Sequence, residues 1–149
     1  MEVKNLFDQA VKRDIIVRIN KLTPQSKALW GKMNVSQMLA HLQVPIGVAD
    51  GTQKLKRTFF GRIVGPMVKQ ILYNDKPFKR HLPTDPSFVM INSEKDFETE
   101  KQRLLVMVNN FSEAAIVNET HVFFGKLTKE QWSKGTWKHV DHHLQQFGV

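Results

Sequence analysis

Three of the six histidines of this chain fall within five positions of one another, in Lys138-His139-Val140-Asp141-His142-His143-Leu144-Gln145-Gln146-Phe147-Gly148. His139 and His143 stand four residues apart, a spacing that stacks two imidazoles on one helix face and lets them close on a single divalent metal ion. Such pairs also arise in helices that bind nothing, and two nitrogens alone leave a weak, open coordination sphere. The chemistry therefore turns on a third ligand from another element. The chain has no cysteine, so disulfides, thiolate nucleophiles and cysteine-type zinc sites are excluded together, and any metal must bind nitrogen and oxygen.

The elements that must position these residues read as helices. Thr128 and Gln131 have the spacing of a capping box, with Leu127 and Trp132 as its hydrophobic staple. Ser133 to Gly135 predicts a break, after which Thr136 caps a final helix that Gly148 stops. On that helix Trp137, Val140, Leu144 and Phe147 form the core stripe. His139 and His143 lie together at its edge, and Asp141, His142, Gln145 and Gln146 on the polar side. A second helix starts near Asn34 or Ser36 and carries Val35, Met38, Leu39, Leu42 and Ile46 on its apolar stripe. His41 sits on the flank of that stripe, and Pro45, four residues later, predicts a kink or loosened turn at the histidine. His41 is the only histidine on another long helix, which makes it the best third ligand.

Three neutral imidazoles plus water form the open sphere of catalytic zinc sites; nickel, iron(II) or manganese also suit three nitrogens. Val140 stands where a zincin motif would carry its glutamate base, which argues against metalloprotease chemistry. His121 and His142 are the remaining candidates for a catalytic or substrate-contacting role, and His81 reads as a solvated side chain in a basic loop.

Val3, Phe7, Val11, Ile15, Ile19 and Leu22 predict an N-terminal amphipathic helix ended by Thr23-Pro24. Ser93, with Asp96 three residues on, predicts the cap of another helix carrying Phe97, Leu104, Leu105, Val108 and Phe111. Thr120 to Lys126 reads as a loop with buried aromatics. The expected architecture is all-α: a four-helix bundle in one domain, residues 1–149, with an inserted basic amphipathic segment. In that insertion, residues 51–82, Lys54, Lys56, Arg57, Arg62, Lys69, Lys76, Lys79 and Arg80 face only Asp75, a net of 8 − 1 = +7 out of the chain's +8. Its Phe59, Phe60, Ile63, Val64, Met67, Val68, Ile71 and Leu72 read as a helix broken at Gly65-Pro66 that covers one end of the core, with a membrane or lid role as the alternative.

Composition sets the outer bounds. Hydrophobic residues make up 41% and charged residues 24%, which indicates neither disorder nor membrane residence. No apolar run reaches spanning length and the first residues form no export signal, so a cytoplasmic protein without membrane insertion is expected. Aromatics among the basic residues permit a nucleic-acid groove, but burial of the segment and binding of an anionic substrate explain them more simply.

The run Met38-Leu39-Ala40-His41-Leu42, the pair His139 and His143 with the extra His142, and the ending from Leu127 to Gly148 together resemble the DinB/YfiT-like superfamily, as does the helix order. The resemblance is similar in kind to an uncharacterised bacterial branch and is specific around residues 34–43 and 121–148. It implies a four-helix bundle, often dimeric, that binds a divalent metal, usually zinc or nickel, through three histidines in the positions of His41, His139 and His143. Among relatives it implies thiol-dependent transferases and isomerases. Many members follow the last histidine with Arg-Gly-Gln where this chain has Leu144-Gln145-Gln146, which weakens any transfer of substrate or thiol specificity. The leading expectation is a metal-dependent transferase or hydrolase acting on a small molecule, anionic or with a low-molecular-weight thiol as co-substrate. The competing one is a non-catalytic, dimeric metal- or ligand-binding bundle, favoured by the lack of a carboxylate base near the histidines.

Overall fold

The computed structural model describes all residues except 58, 81–87 and 89, so the expectation for His81 lies outside the described residues. The helices are α1 (Gln9–Lys21), α2 (Val35–Ala49), α3 (Phe59–Val68) with a 3-10 turn at Lys69–Leu72, α4 (Phe97–Asn110) and α5 (Lys129–Gln146). The chain is mostly helical, but not wholly so. Thr120–His121 (β1) and Gly125–Lys126 (β2) pair antiparallel where a loop was expected, with Thr120 opposite Lys126 and His121 opposite Gly125. Gly125 takes a φ of 77°, which an L side chain rarely adopts, and so turns the chain into β2.

Side-chain caps set the helix boundaries. Asp8 Oδ1 accepts the N–H groups of Ala10 and Val11 at 2.7 and 3.4 Å, so α1 begins at Gln9, and Val3 and Phe7 precede the helix instead of opening its stripe. Asn34 and Gln37 exchange bonds of 2.9 and 3.0 Å, and Thr128 and Gln131 bonds of 3.0 and 3.2 Å, which makes both starts reciprocal capping boxes. At α4 the cap is Asp96 itself, accepting from Thr99 N–H at 2.8 Å, and not Ser93. The break expected at 133–135 does not occur. Ser133 donates to Asn5 Oδ1 and accepts the Phe7 N–H at 3.2 Å, while Gly135 packs against Leu72. Both small residues serve close approach to a neighbour and leave α5 continuous.

α2 packs against α4 and α5, and α1 against the same two helices, around one apolar cluster that includes Ile15, Ile19, Leu39, Leu42, Leu104 and Val140. Lysines close three of the free carbonyl ends. Lys12 of α1 donates to Asn109 and Phe111 O at the end of α4, at 3.0 and 2.8 Å. Lys101 of α4 donates back to Asn20 and Leu22 O at the end of α1, at 3.2 and 2.9 Å. Lys138 of α5 donates to Ile71 O, Asn74 O and Asn74 Oδ1 at 2.6, 2.8 and 2.9 Å, below the 3-10 turn. A cation at a helix C-terminus meets unsatisfied carbonyls and the negative end of the dipole, which offsets its desolvation. Burial lowers the pKa of Lys12 and Lys138 from the ordinary lysine value.

The aromatic stripe of α3 is not core. Phe59, Phe60, Ile63 and Met67 are exposed, whereas Gly61 and Gly65 are buried. α3 lies with its glycine ridge on the β1–β2 turn, where a Cβ on Gly65 would collide with the Phe123 carbonyl. Gly65-Pro66 therefore does not interrupt the helix, because the glycine is the contact and the proline faces outward.

Replacing Lys138 with Met keeps the aliphatic packing and removes three donated hydrogen bonds. The expected cost is on the order of 2 kcal/mol, read as a lower urea midpoint with unchanged helical content in the native state.

Candidate metal centre

His41 comes from the middle of α2, and His139 and His143 from the last two turns of α5. Their rings meet edge to face in a nearly equilateral triangle, with centroid separations of 4.8 Å (His41–His139), 4.7 Å (His41–His143) and 4.8 Å (His139–His143). One nitrogen from each lies within 4.8 Å of the other two, so the three histidines could hold one metal ion. Pro45 gives no N–H to the His41 carbonyl, yet α2 runs on to Ala49 as an α-helix and no break appears.

Hydrogen bonds on the far side of two rings decide which nitrogen faces inward. His41 Nδ1 lies 2.9 Å from the Phe88 carbonyl. A carbonyl only accepts, so Nδ1 carries the proton and Nε2 presents its lone pair, 2.9 Å from His139 Nε2. His143 Nδ1 lies 2.7 Å from Gln146 Oε1, and the Gln146 amide is fixed because its Nε2 donates to Trp30 O at 2.5 Å. His143 therefore donates from Nδ1 as well and keeps Nε2 free. This is the orientation that metal-ligating imidazoles need. His139 Nδ1 is buried with no partner among the described residues, so that ring is set by its Nε2 contact with His41 Nε2 and by packing against the other two rings.

Gln146 is the member of the candidate site that helical phase misplaced. It is 3% exposed, not polar-facing, and it stands where the Arg-Gly-Gln of the resemblance has its glutamine. The departure is thus confined to Leu144 and Gln145. The i,i+3 spacing from His143 carried the signal. The Phe88 carbonyl had none, being backbone. Asp141 is also buried, held by Arg18 at 2.7 Å and by Gln145 Nε2 at 2.7 Å. It ties α1 to α5 and is not directed at the histidines.

Desolvation is the largest cause holding the triad's pKa values down: His41 lies below its ordinary value, against the opposing Phe88 hydrogen bond; His139 lies well below it, with repulsion from His41 and His143 added; and His143 falls to about 3, with repulsion from His41 added. All three are neutral imidazoles at physiological pH, the form that binds a cation. They form part of the wall of a cavity of about 770 Å³ otherwise lined chiefly by apolar side chains, among them Phe60, Phe78, Phe88, Phe124 and Trp132, with no carboxylate among the described lining residues.

Both further histidines reach this cavity. The His121 ring packs on Phe124 and Trp132, with centroids 4.9 and 5.1 Å away. Its Nδ1 accepts the N–H groups of Phe123 and Phe124 at 3.0 and 3.2 Å, so the proton sits on Nε2. His121 Nδ1 thus acts as an acceptor that fixes the β1–β2 turn. His142 packs against Trp30 and Phe78, at 5.8 and 5.7 Å, half-buried at the rim, one of the two positions, rim or water, that its helical phase allowed. Burial lowers its pKa, nearby Asp141 opposes this, and nearby Arg80 adds to it.

The family described as protein of unknown function (DUF1569) matches residues 5–148. The chain belongs to that family. DUF1569 lies within the DinB/YfiT-like superfamily, in agreement with the resemblance read from the histidine motifs. No curated protein and no solved structure matches this DUF1569 chain.

Two outcomes are expected for this DUF1569 member. Gln146→Leu frees the His143 ring and lowers divalent-metal affinity by about 10- to 100-fold, measured by competition with a chelating dye. The second concerns the metal-free protein. Its folded state keeps the triad neutral, while the unfolded chain takes up protons as pH falls through about 6.5. The unfolded state then binds more protons, so stability falls with acidification from that point. The slope is about 1.4 kcal/mol per pH unit for each buried histidine. Urea titrations between about pH 7.5 and 5 test this, and His139→Phe removes one histidine's share of the slope.

Proposed function

We propose that this chain is a DinB-type four-helix bundle, a single domain, that works as a divalent-metal-dependent enzyme on a small, largely apolar molecule. His41, His139 and His143 are its metal ligands. The observation that carries the reading is the pair of outer hydrogen bonds, His41 Nδ1–H to Phe88 O and His143 Nδ1–H to Gln146 Oε1, which aim two Nε2 lone pairs at the space shared with His139. Zinc or nickel best suits this donor set, with iron(II) and manganese as further choices. When bound, such an ion supplies Lewis acidity and lowers the pKa of water or a thiol at neutral pH.

The chain's own residues do the rest. The aromatic walls bind the apolar part of the substrate and exclude water. Arg80, whose guanidinium lies 4.3 Å over Trp30 near the rim, offers a counter-charge to an anionic group or to the carboxylate of a low-molecular-weight thiol. His142 is the candidate to take up a proton from the incoming nucleophile, since it stays half-open at the rim while His121 Nδ1 is occupied by two backbone donors. The transferase or hydrolase class rests on the DinB/YfiT-like resemblance, with which this arrangement agrees.

One observation favours a second reading, a non-catalytic metal- or ligand-binding protein: the described cavity lining holds no carboxylate to serve as a general base. Metal analysis of untagged protein followed by activity screening separates the two. Stoichiometric metal, lost in His41→Ala and in His139→Ala, is expected. Turnover of a small electrophile with added thiol or water, reduced about 100-fold in His142→Phe, supports the enzyme. Full metal loading with no turnover across a panel of thiols and electrophiles sinks it in favour of the binding protein. Absence of stoichiometric metal removes the enzyme and the metal-binding form of the second reading, and leaves a bundle that binds a ligand without metal.

A further inference from the structure

The outer face of α3 inverts the usual order of an amphipathic helix. At about 100° per residue, Phe59, Ile63, Met67 and Phe60 fall on one arc, and they are 79%, 55%, 80% and 65% exposed. Gly61 and Gly65 lie on the opposite side and are buried. Gly65 prevents the helix from rolling over, because a side chain there meets the Phe123 carbonyl. Arg57 straps the same end, donating to Val122 O and Gly61 O at 3.4 Å each. The apolar arc is thus held outward by the fold itself.

Charge identifies what covers it. Between Asp50 and Asp75 the sequence has no acidic residue; Lys54 and Lys56, in the segment that leads into α3, and Arg62, on the helix, are exposed, with Lys69 just after it partly so. An apolar ridge of aromatic and aliphatic side chains flanked by cations is what a surface helix needs to settle among acyl chains with its lysines and arginine at the level of anionic headgroups. A twofold pairing of two copies through this face would bring the basic residues of both together with no acid in the segment to answer them. Single-stranded nucleic acid would use the phenylalanines for stacking but leave Ile63 and Met67 unmatched. No helix among the described residues is long and apolar enough to cross a membrane, so the contact is one-sided.

We propose that α3 docks this protein on an anionic membrane surface, with Phe59, Phe60, Ile63 and Met67 inserted at the headgroup boundary and Lys54, Lys56, Arg62 and Lys69 paired with lipid phosphates and carboxylates. None of these residues belongs to the histidine triad, and of them only Phe60 also lines the cavity.

Vesicle flotation of the full chain tests it, using phosphatidylcholine alone and phosphatidylcholine with about one-third phosphatidylserine. Binding at least about tenfold tighter to the anionic vesicles, weakened by salt, is expected. Phe59→Glu combined with Met67→Glu changes only exposed side chains and abolishes binding while metal content and helical content stay those of the parent. Arg62→Glu with Lys69→Glu removes the preference for phosphatidylserine. No flotation with either vesicle, or binding unchanged in the Phe59 and Met67 variant, overturns the proposal. So does a parent dimer that the same variant turns into a monomer, which assigns the face to a second copy. Salt-sensitive binding of single-stranded DNA without vesicle binding assigns it to nucleic acid and likewise overturns it.

Discussion

Three imidazoles drawn from two helices and packed at centroid distances of 4.7 and 4.8 Å are the constraint around which the remaining structure is arranged. Bringing them together removes water from all three and forces their pKa values down. A buried polar ring without a partner is costly, so the fold supplies outer partners where it can. The Phe88 carbonyl serves His41, and Gln146, itself anchored on Trp30, serves His143. The segment containing Trp30 and the one containing Phe88 are thereby tied to the helices by the same bonds that select the tautomers. His139 alone goes without, and its ring is set by its two neighbours.

The sequence made the ligand-bearing helices legible because their signals are local. A reciprocal cap announces α2 at Asn34 and α5 at Thr128, and apolar periodicity phases His41, His139 and His143 toward a common seam. What helical phase could not supply is anything decided by a distant partner. Asp141 and Gln146 look solvent-facing on a wheel, but Arg18 and Trp30 lie 123 and 116 residues away and draw them in. Small residues misled in the same way. Ser133 and Gly135 read as a break only while Asn5, Phe7 and Leu72 are unknown, and Gly65 reads as a break only while Phe123 is. A glycine in a helix costs about 1 kcal/mol in propensity, and sequence alone does not tell whether a close contact returns it.

The positive charge of the chain divides into two physical classes. Lys12, Lys101 and Lys138 each end on backbone carbonyls of another element, so they act as caps and belong to the stability of the fold. The exchange between α1 and α4 is reciprocal, each helix closing the C-terminal end of the other. Lys54, Lys56 and Arg62 are exposed without this duty, and their charge is left for interactions outside the chain. Net charge alone does not separate the two classes; the carbonyl partners do.

α3 joins the two halves of the molecule's chemistry. Val64 and Val68 form part of the cavity wall with the histidines, and Phe60 contributes both to that wall and to the exposed arc. The helix is therefore a thin partition with an apolar surface on each side, held by a glycine ridge on a two-residue hairpin whose turn is fixed by His121. Such a partition has few buried apolar contacts of its own, which places it among the parts of a fold that open at the lowest free energy cost. The proposed membrane contact on its outer face would add burial that the isolated chain lacks. Phe60 is the side chain that the proposed membrane face and the proposed substrate cavity have in common.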